Sequence, residues 1–368
     1  MEGPRAPKPQ EFDSLLNFLN ENLRKDLAWP INHEYPTALA LNNIHNMSII
    51  TDEDSKQIVS HALVKPLIMK SPLAMFKLGA IGSVVTSPEF RNQGFSSQNI
   101  KNCLQVAKEQ KCELVVLWTD QYDFYKKFGF EPAGFEFTYQ LSDKTTQPTD
   151  INPDLKFMVT NKVDPQALVR LYNQHTVGCV RTAEDFQKYL AIPNSNIYTA
   201  WTKDNNLVAY AAEGKGLDLQ NFIHDWAGST PALLDLFNWV VVTQKRPTTI
   251  MAPKHSVNLR KQLKLKSDFE HQGVLGLVKI LDFDSVAQKI KKAFRSEGLD
   301  RMILEKRGTQ IIFGYNTDLY TLENESELVK LFFGPTLPTQ FEFIKPETQK
   351  ILETLLPLPM WIWGWDSI

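Results

Sequence analysis

SPEFRNQGFSS, residues 87–97, is the stretch on which the reading of this chain turns. Within it, Arg91-Asn92-Gln93-Gly94-Phe95-Ser96 fits the pattern R/Q-x-x-G-x-G/A, with Ser96 in the final small position. A pyrophosphate is multiply anionic and needs converging N–H donors, which a tight loop running into a helix N-terminus supplies together with the positive end of the helix dipole. Gly94 lets the backbone come close to a phosphate, and Ser96 is small enough for a helix to begin beside it. The stretch therefore predicts a strand, a phosphate-holding loop and a helix, in that order.

Working outward, Leu78 to Thr86 reads as the strand before the loop. Ser96 to Lys111 reads as the helix after it, with Ile100, Cys103, Leu104 and Ala107 on one face. Upstream, Glu11 to Lys25 is an amphipathic helix with Phe12, Leu15, Leu16 and Leu19 on one stripe, and Met47 to Thr51 and Gln57 to Val64 are strands. Downstream, Glu113 to Trp118 is a short buried strand and Tyr122 to Phe128 a short helix stopped by Gly129. Phe135, Phe137, Tyr139 and Leu141 alternate, which predicts a last strand closing the unit before a linker at 142–153.

The same order then recurs. Asp164 to His175 and Thr182 to Leu190 read as helices, and Ile197 to Trp201, Leu207 to Glu213 and Gln220 to Trp226 as strands. A helix begins at Thr230 and Pro231, and Thr249 to Ala252 is again a strand. Trp226 to Thr230 is too short to hold a pyrophosphate loop, so the repeat lacks that one piece. From about Lys279 the pattern changes to a basic amphipathic helix (Val286 to Phe294), short strands at 302–306 and 310–315, a helix at 325–333 and an aromatic tail, Pro357 to Ile368.

Composition agrees with a folded multi-domain chain. It has 368 residues, 43% apolar and 22% charged, with a formal net charge of −2. The charge balance gives no reason to expect nucleic acid as a partner, and no apolar run reaches the ~18 residues of a membrane span. Cys103, Cys112 and Cys179 form no CxxC pair, so neither a metal site nor a disulfide framework is expected, and a reducing cytoplasm is the expected compartment.

Taken in order, the strand, loop, helix, strand and aromatic short helix resemble the GNAT superfamily, the Gcn5-related N-acetyltransferases. Tyr125-Lys126-Lys127-Phe128-Gly129-Phe130, the loop-less repeat and a different third segment narrow the likeness to the enhanced-intracellular-survival (Eis-type) acetyltransferases. The resemblance implies an α+β fold with two tandem GNAT domains of mixed, mostly antiparallel sheet, at 1–148 and 149–278. A C-terminal α/β domain similar to sterol carrier proteins would follow at 279–368.

The resemblance also implies acetyl-coenzyme A as co-substrate, no metal and a small-molecule amine as acceptor, while assembly into a homo-oligomer, frequent among relatives, stays open. Strand-end amides of Val84, Val85 and Thr86 would meet the acetyl carbonyl and pantetheine, and loop amides from Asn92, Gln93, Gly94, Phe95, Ser96 and Ser97, with Arg91, the pyrophosphate. Asp120 and Gln121 fall where the pantetheine arm is contacted, Tyr125 in the general-acid place and the carboxylate of Ile368 in that of the general base. Tyr122 is a rival acid one helical turn away. Asp26, His33, Glu34 and Tyr35 lie in the loop after the first helix, which lines the acceptor site in GNAT folds, although a solvated loop is the plainer reading. His224 and Asp225, adjacent in a strand, point to opposite faces and make no catalytic pair. Lys289, Lys291, Lys292 and Arg295 read as a solvated helix face. A non-catalytic acyl-CoA or hydrophobic-ligand binding protein is the alternative function.

Overall fold

The computed structural model describes residues 1–368, with Asp150 described by its backbone alone. The first third runs β1 (Glu2–Arg5), α1 (Phe12–Leu23), β2 (Met47–Thr51), β3 (Ile58–Lys70), β4 (Met75–Thr86), α2 (Phe95–Glu109), β5 (Leu114–Leu117), α3 (Tyr122–Lys126), β6 (Glu131–Ala133) and β7 (Glu136–Leu141). The middle runs β8 (Lys156–Val159), α4 (Pro165–Tyr172), β9 (Gly178–Cys179), α5 (Ala183–Tyr189), β10 (Asn196–Trp201), β11 (Leu207–Lys215), β12 (Asp218–Gly228), α6 (Thr230–Gln244), β13 (Thr248–Pro253), α7 (Val257–Lys266), β14 (Phe269–Gly273) and β15 (Gly276–Ile280). The last part adds α8 (Phe283–Ser296), β16 (Met302–Arg307), β17 (Gln310–Tyr315), β18 (Asp318–Leu322), α9 (Glu325–Phe333) and α10 (Pro346–Leu352).

The strands form two mixed sheets, in the orders β1-β2-β3-β4-β5-β15-β6 and β14-β7-β13-β12-β11-β10-β8, and one small sheet, β16-β17-β18. In each mixed sheet one parallel pair parts early. β4 pairs with β5 only from Leu78 to Ala80, and β12 with β13 only at Phe222 and Ile223. Beyond those pairs the strands diverge and leave a gap at which the next helix begins.

Two strands depart from the expected plan. β7, expected to close the first unit, pairs with β13 and β14 in the second sheet. Its inward side chains Phe137, Tyr139 and Leu141 belong to the second core, with Ile223, Phe237 and Ile250. β15 takes the complementary place, between β5 and β6 in the first sheet. The boundary expected between 278 and 279 thus falls inside a strand that belongs to the first sheet. Alternation identifies a strand with one buried face, but not which sheet buries it.

β3 also continues to Lys70, past the end expected at Val64. Pro66 is tolerated because β2 pairs only as far as Leu63 and β9 begins only at Met69, so one edge of β3 is free there. The segment 279–368 contributes the small antiparallel sheet and three helices. Its Phe294, Phe313, Phe332 and Phe333 share one core with Phe76, Leu78 and Val116 of the first sheet. Lys289, expected on a solvated face, pairs with the buried Glu113 at 2.5 Å, whereas Lys292 and Arg295 are exposed. No helix is long and apolar enough to cross a membrane, and no metal-binding group of His, Cys, Asp and Glu occurs among the described residues.

Candidate active site

The gap beside β4 opens into a cleft of about 700 Å³. Val84, Val85 and Thr86 form one wall, and Arg91, Asn92, Gly94, Phe95, Ser96 and Ser97 form its floor. Gln121, Phe124, Tyr125 and Lys127 face them from the α3 side. Gln93 and Asp120, expected at the same site, are exposed and lie outside the lining.

The loop takes this shape because two of its residues adopt left-handed backbone, Asn92 at φ 63° and Gly94 at φ 81°. Asparagine and glycine are the residues that bear such angles best. Gly94 is the N-cap of α2 and brings no side-chain bond to the helix start. The first amides of α2 are thereby left for a ligand, and the space where a Cβ on Gly94 would sit is open. The second sheet differs at this point. A single residue, Ser229, separates β12 from α6, and its hydroxyl accepts from the Ala232 amide. Pro231 supplies no N–H at all. The cap residue there takes one of the first amides of the helix, and another is absent.

A buried polar chain that the sequence reading missed ties the loop to the sheet. Asn102 donates to Ser48 at 2.9 Å, Ser48 to Asn99 at 2.7 Å, and Asn99 to Ser60 at 2.9 Å. Ser60 donates to the Val85 carbonyl at 3.1 Å and lies 2.8 Å from the Thr86 hydroxyl, which in turn lies 2.7 Å from Ser96. Arg91 donates through Nε to the Thr86 carbonyl at 3.2 Å. Small hydroxyls in apolar strands carry no periodic signal, so only their meeting across β2, β3, β4 and α2 reveals the network.

A second missed group is His61, fully buried on β3. Its Nδ1 lies 2.8 Å from the carbonyl of Ser83, whose φ of 49° marks a bulge in β4 just before the cleft wall. Burial pulls His61 down to about 4, so it is neutral at physiological pH.

Tyr125 is buried, edge-on to Phe124 at 4.9 Å and to Phe130 at 6.0 Å. Burial pushes its phenol up to about 12, with nearby Cys103 a smaller contributor, so the group keeps its proton at neutral pH. Tyr122, the rival acid, is 46% exposed and does not line the cleft.

Ile368 approaches β4 from another direction. A Cβ on Gly82 would lie 2.8 Å from the Ile368 main-chain carbon, so only glycine leaves room for the terminus there. The side chain of Ile368 packs against the apolar cluster that contains Leu15, Leu63 and Val85. In the loop after α1, Glu34 is buried rather than solvated, and Arg24 pairs with it at 2.6 Å. Its charge is spent internally, while Asp26 and His33 are exposed. His224 and Asp225 do point apart: His224 Nε2 lies 3.0 Å from the Gly214 carbonyl, and Asp225 accepts from Arg181 at 2.6 Å.

Residues 8–133 match the family model of the acetyltransferase (GNAT) domain. No curated protein matches the sequence. Among solved structures, the chain is similar to a GCN5-related N-acetyltransferase from Anabaena variabilis, at 15% identity and a TM-score of 0.64 over 95% of each chain. It is similar to a probable N-acyltransferase from Enterococcus faecalis, at 12% identity and a TM-score of 0.63 over 97% of this chain and 96% of that one. Eis1 from Mycobacterium abscessus is a further likeness, at 10% identity and a TM-score of 0.57 over 91% and 90% of the two chains. Residues 8–133 thus match an acetyltransferase (GNAT) domain at the place where the loop and the parted strands lie, and the chain as a whole shares the fold of solved GCN5-related N-acetyltransferases.

Proposed function

We propose that the chain transfers an acetyl group from acetyl-coenzyme A to a primary amine by direct attack. One juxtaposition carries this reading. A cleft with unspent helix amides and a protonated tyrosine lies along β4, the strand against which the chain terminus rests.

In this reading the loop amides from Asn92 to Ser97, with Arg91 beside them, hold the pyrophosphate, and the pantetheine arm runs along Val84–Thr86 past Gln121. An amine with a pKa near ~10.4 arrives as an ammonium. One of its protons passes to the Ile368 carboxylate, directly or through water, and on to solvent. The nitrogen then bonds to the acetyl carbon, and strand-end amides of Val84–Thr86 stabilise the oxyanion. As the carbon–sulfur bond breaks, Tyr125 gives its proton to the thiolate and recovers the second amine proton. The weakened acidity of Tyr125, whose burial pushes its phenol up to about 12, suits a donor that must stay protonated until the thiolate forms.

Tyr125→Phe should lower kcat for thiol release by about 10²-fold, the usual scale for such a group, while leaving acetyl-CoA affinity unchanged. Undiminished kcat would remove Tyr125 from the acid role. An acceptor screen with mass-spectrometric readout names the amine class. If coenzyme A raises the melting temperature but no amine releases thiol, the chain is instead a non-catalytic acyl-CoA or hydrophobic-ligand binding protein. That outcome would give weight to the sterol-carrier-like reading of 279–368.

A further inference from the structure

The stretch just before Ile368, Gly364 to Ser367, is gripped by polar groups of the second unit, while Trp363 and Ile368 also touch the first. Asp366 is 4% exposed and accepts from Arg181 in a fork, Nε at 3.2 Å to both oxygens and Nη2 at 2.7 Å to Oδ2. The same Nη2 donates to Asp225 of β12 at 2.6 Å. Lys215, 2% exposed at the end of β11, donates to the carbonyl of Gly364 at 3.1 Å and to that of Ser367. Trp365 stacks between Tyr189 at 5.2 Å and Tyr210 at 6.2 Å. Gly364 lies flat on β12, where a Cβ would come within 2.6 Å of the His224 ring. Arg181 thus faces the carboxylates of Asp225 and Asp366, and Lys215 faces the main-chain carbonyls of the tail, in a buried charged cluster.

Burying such a cluster is a poor way to gain stability, because the desolvation of the ions offsets most of their attraction. It is a good way to fix register, since each charge has one place where it is compensated. Only Ser367 separates Asp366 from Ile368, so at most about 7 Å of chain lies between the fork and the terminus. The socket is itself tied to the first unit: the Leu217 amide donates to Glu34 at 3.1 Å, and Lys215 Nζ lies 4.7 Å from the centre of the Tyr35 ring.

We propose that the second unit, having no cofactor loop, serves as the socket that registers the C-terminal tail, with Arg181 and Lys215 as positioning residues for the Ile368 carboxylate. The catalytic consequence rests on the reading of Ile368 as general base. The socket itself does not, and the two are separable by experiment.

Asp366→Asn keeps the shape of the side chain but removes the charge from the fork. Lys215→Met keeps most of the bulk but removes the donor, and it carries the test if Asp366→Asn does not fold. Each variant is measured for kcat, for KM of acetyl-CoA and for release of isoleucine by carboxypeptidase, beside a wild-type chain extended by a Gly-Gly pair. The expected result is a kcat at least roughly tenfold lower with KM for acetyl-CoA unchanged, and isoleucine release at least roughly tenfold faster, because local opening of the tail becomes easier. If the extension cripples turnover while the variants retain wild-type kcat and release rates, the base reading stands and the socket is overturned. If the extension is harmless, the base reading falls and the release rate alone decides: faster release supports the socket, unchanged release overturns it.

Discussion

The two mixed sheets part a parallel pair of strands in the same way, and each sets a fifteen-residue helix at the gap. They differ in how the helix starts. In the first, residues 87–94 separate β4 from α2 and the cap is a glycine that spends none of the helix amides. In the second, Ser229 alone joins β12 to α6 and its hydroxyl takes one of them. A few residues of connection decide whether the same fold offers donors to a phosphate or consumes them. The second unit has kept its scaffold without the loop, and its strands serve to grip the tail.

The widest test of the likeness between the units is their acid stability. His61 on β3 and His224 on β12 are both fully buried, bonded to a carbonyl of a neighbouring strand and pulled down to about 4, chiefly by burial. In the unfolded chain each titrates near ~6.5, so as pH falls from there toward about 4 the unfolded state gains protons that the folded state does not. Stability should therefore be lost across that window and be flat above it with respect to these groups. Each such histidine adds a slope approaching about 1.4 kcal/mol per pH unit. Urea melts between pH 4 and 7 check this. His61→Leu and His224→Leu should each flatten the slope by the same amount if the two sheets unfold as one body, and unequal effects would separate them.

A narrower test bears on the helix starts. Gly94→Val puts a β-branched residue at a positive φ on the cleft floor, a cost of order 1–3 kcal/mol in backbone strain alone. Acetyl-CoA binding, measured by calorimetry, should weaken by roughly tenfold or more, since tenfold corresponds to about 1.4 kcal/mol. Unchanged affinity would mean that the loop does not hold the pyrophosphate. The smallest effect is expected at the matching place in the second unit. Ser229→Ala should cost about 1 kcal/mol of stability, the usual value of a helix cap, and leave KM for acetyl-CoA untouched. A change in KM there would mean that the second gap also takes part in coenzyme use.

The first unit was legible because its signals are local. A stretch of eleven residues with its flanking strand and helix is read from consecutive positions, and Tyr125 stands in six consecutive residues, Tyr125 to Phe130, that carry the family resemblance from which its place is implied. What stayed hidden depends on partners far apart in sequence. The alternation of Phe137, Tyr139 and Leu141 announces a strand with a buried face, but the pairing with Thr248–Pro253 that assigns it to the second sheet lies more than a hundred residues away. β8, at four residues, and β14, with mostly exposed or half-buried side chains, are too short and too polar to stand out. Arg181 looks like any surface arginine in sequence. Its burial is intelligible only once Asp225 and Asp366 converge on it.

The exchange of β7 and β15 has a consequence for how the chain must be made. The first sheet is not continuous until Gly276–Ile280 slots between β5 and β6, so its β6 edge cannot be joined until Ile280 has left the ribosome. Until then β7, already synthesised, waits for a second sheet that does not yet exist. The unit that holds the cleft precedes the second in this sequence, but its sheet cannot be the first completed, and a nascent chain cut off after the loop and Tyr125 would carry those residues on an incomplete sheet.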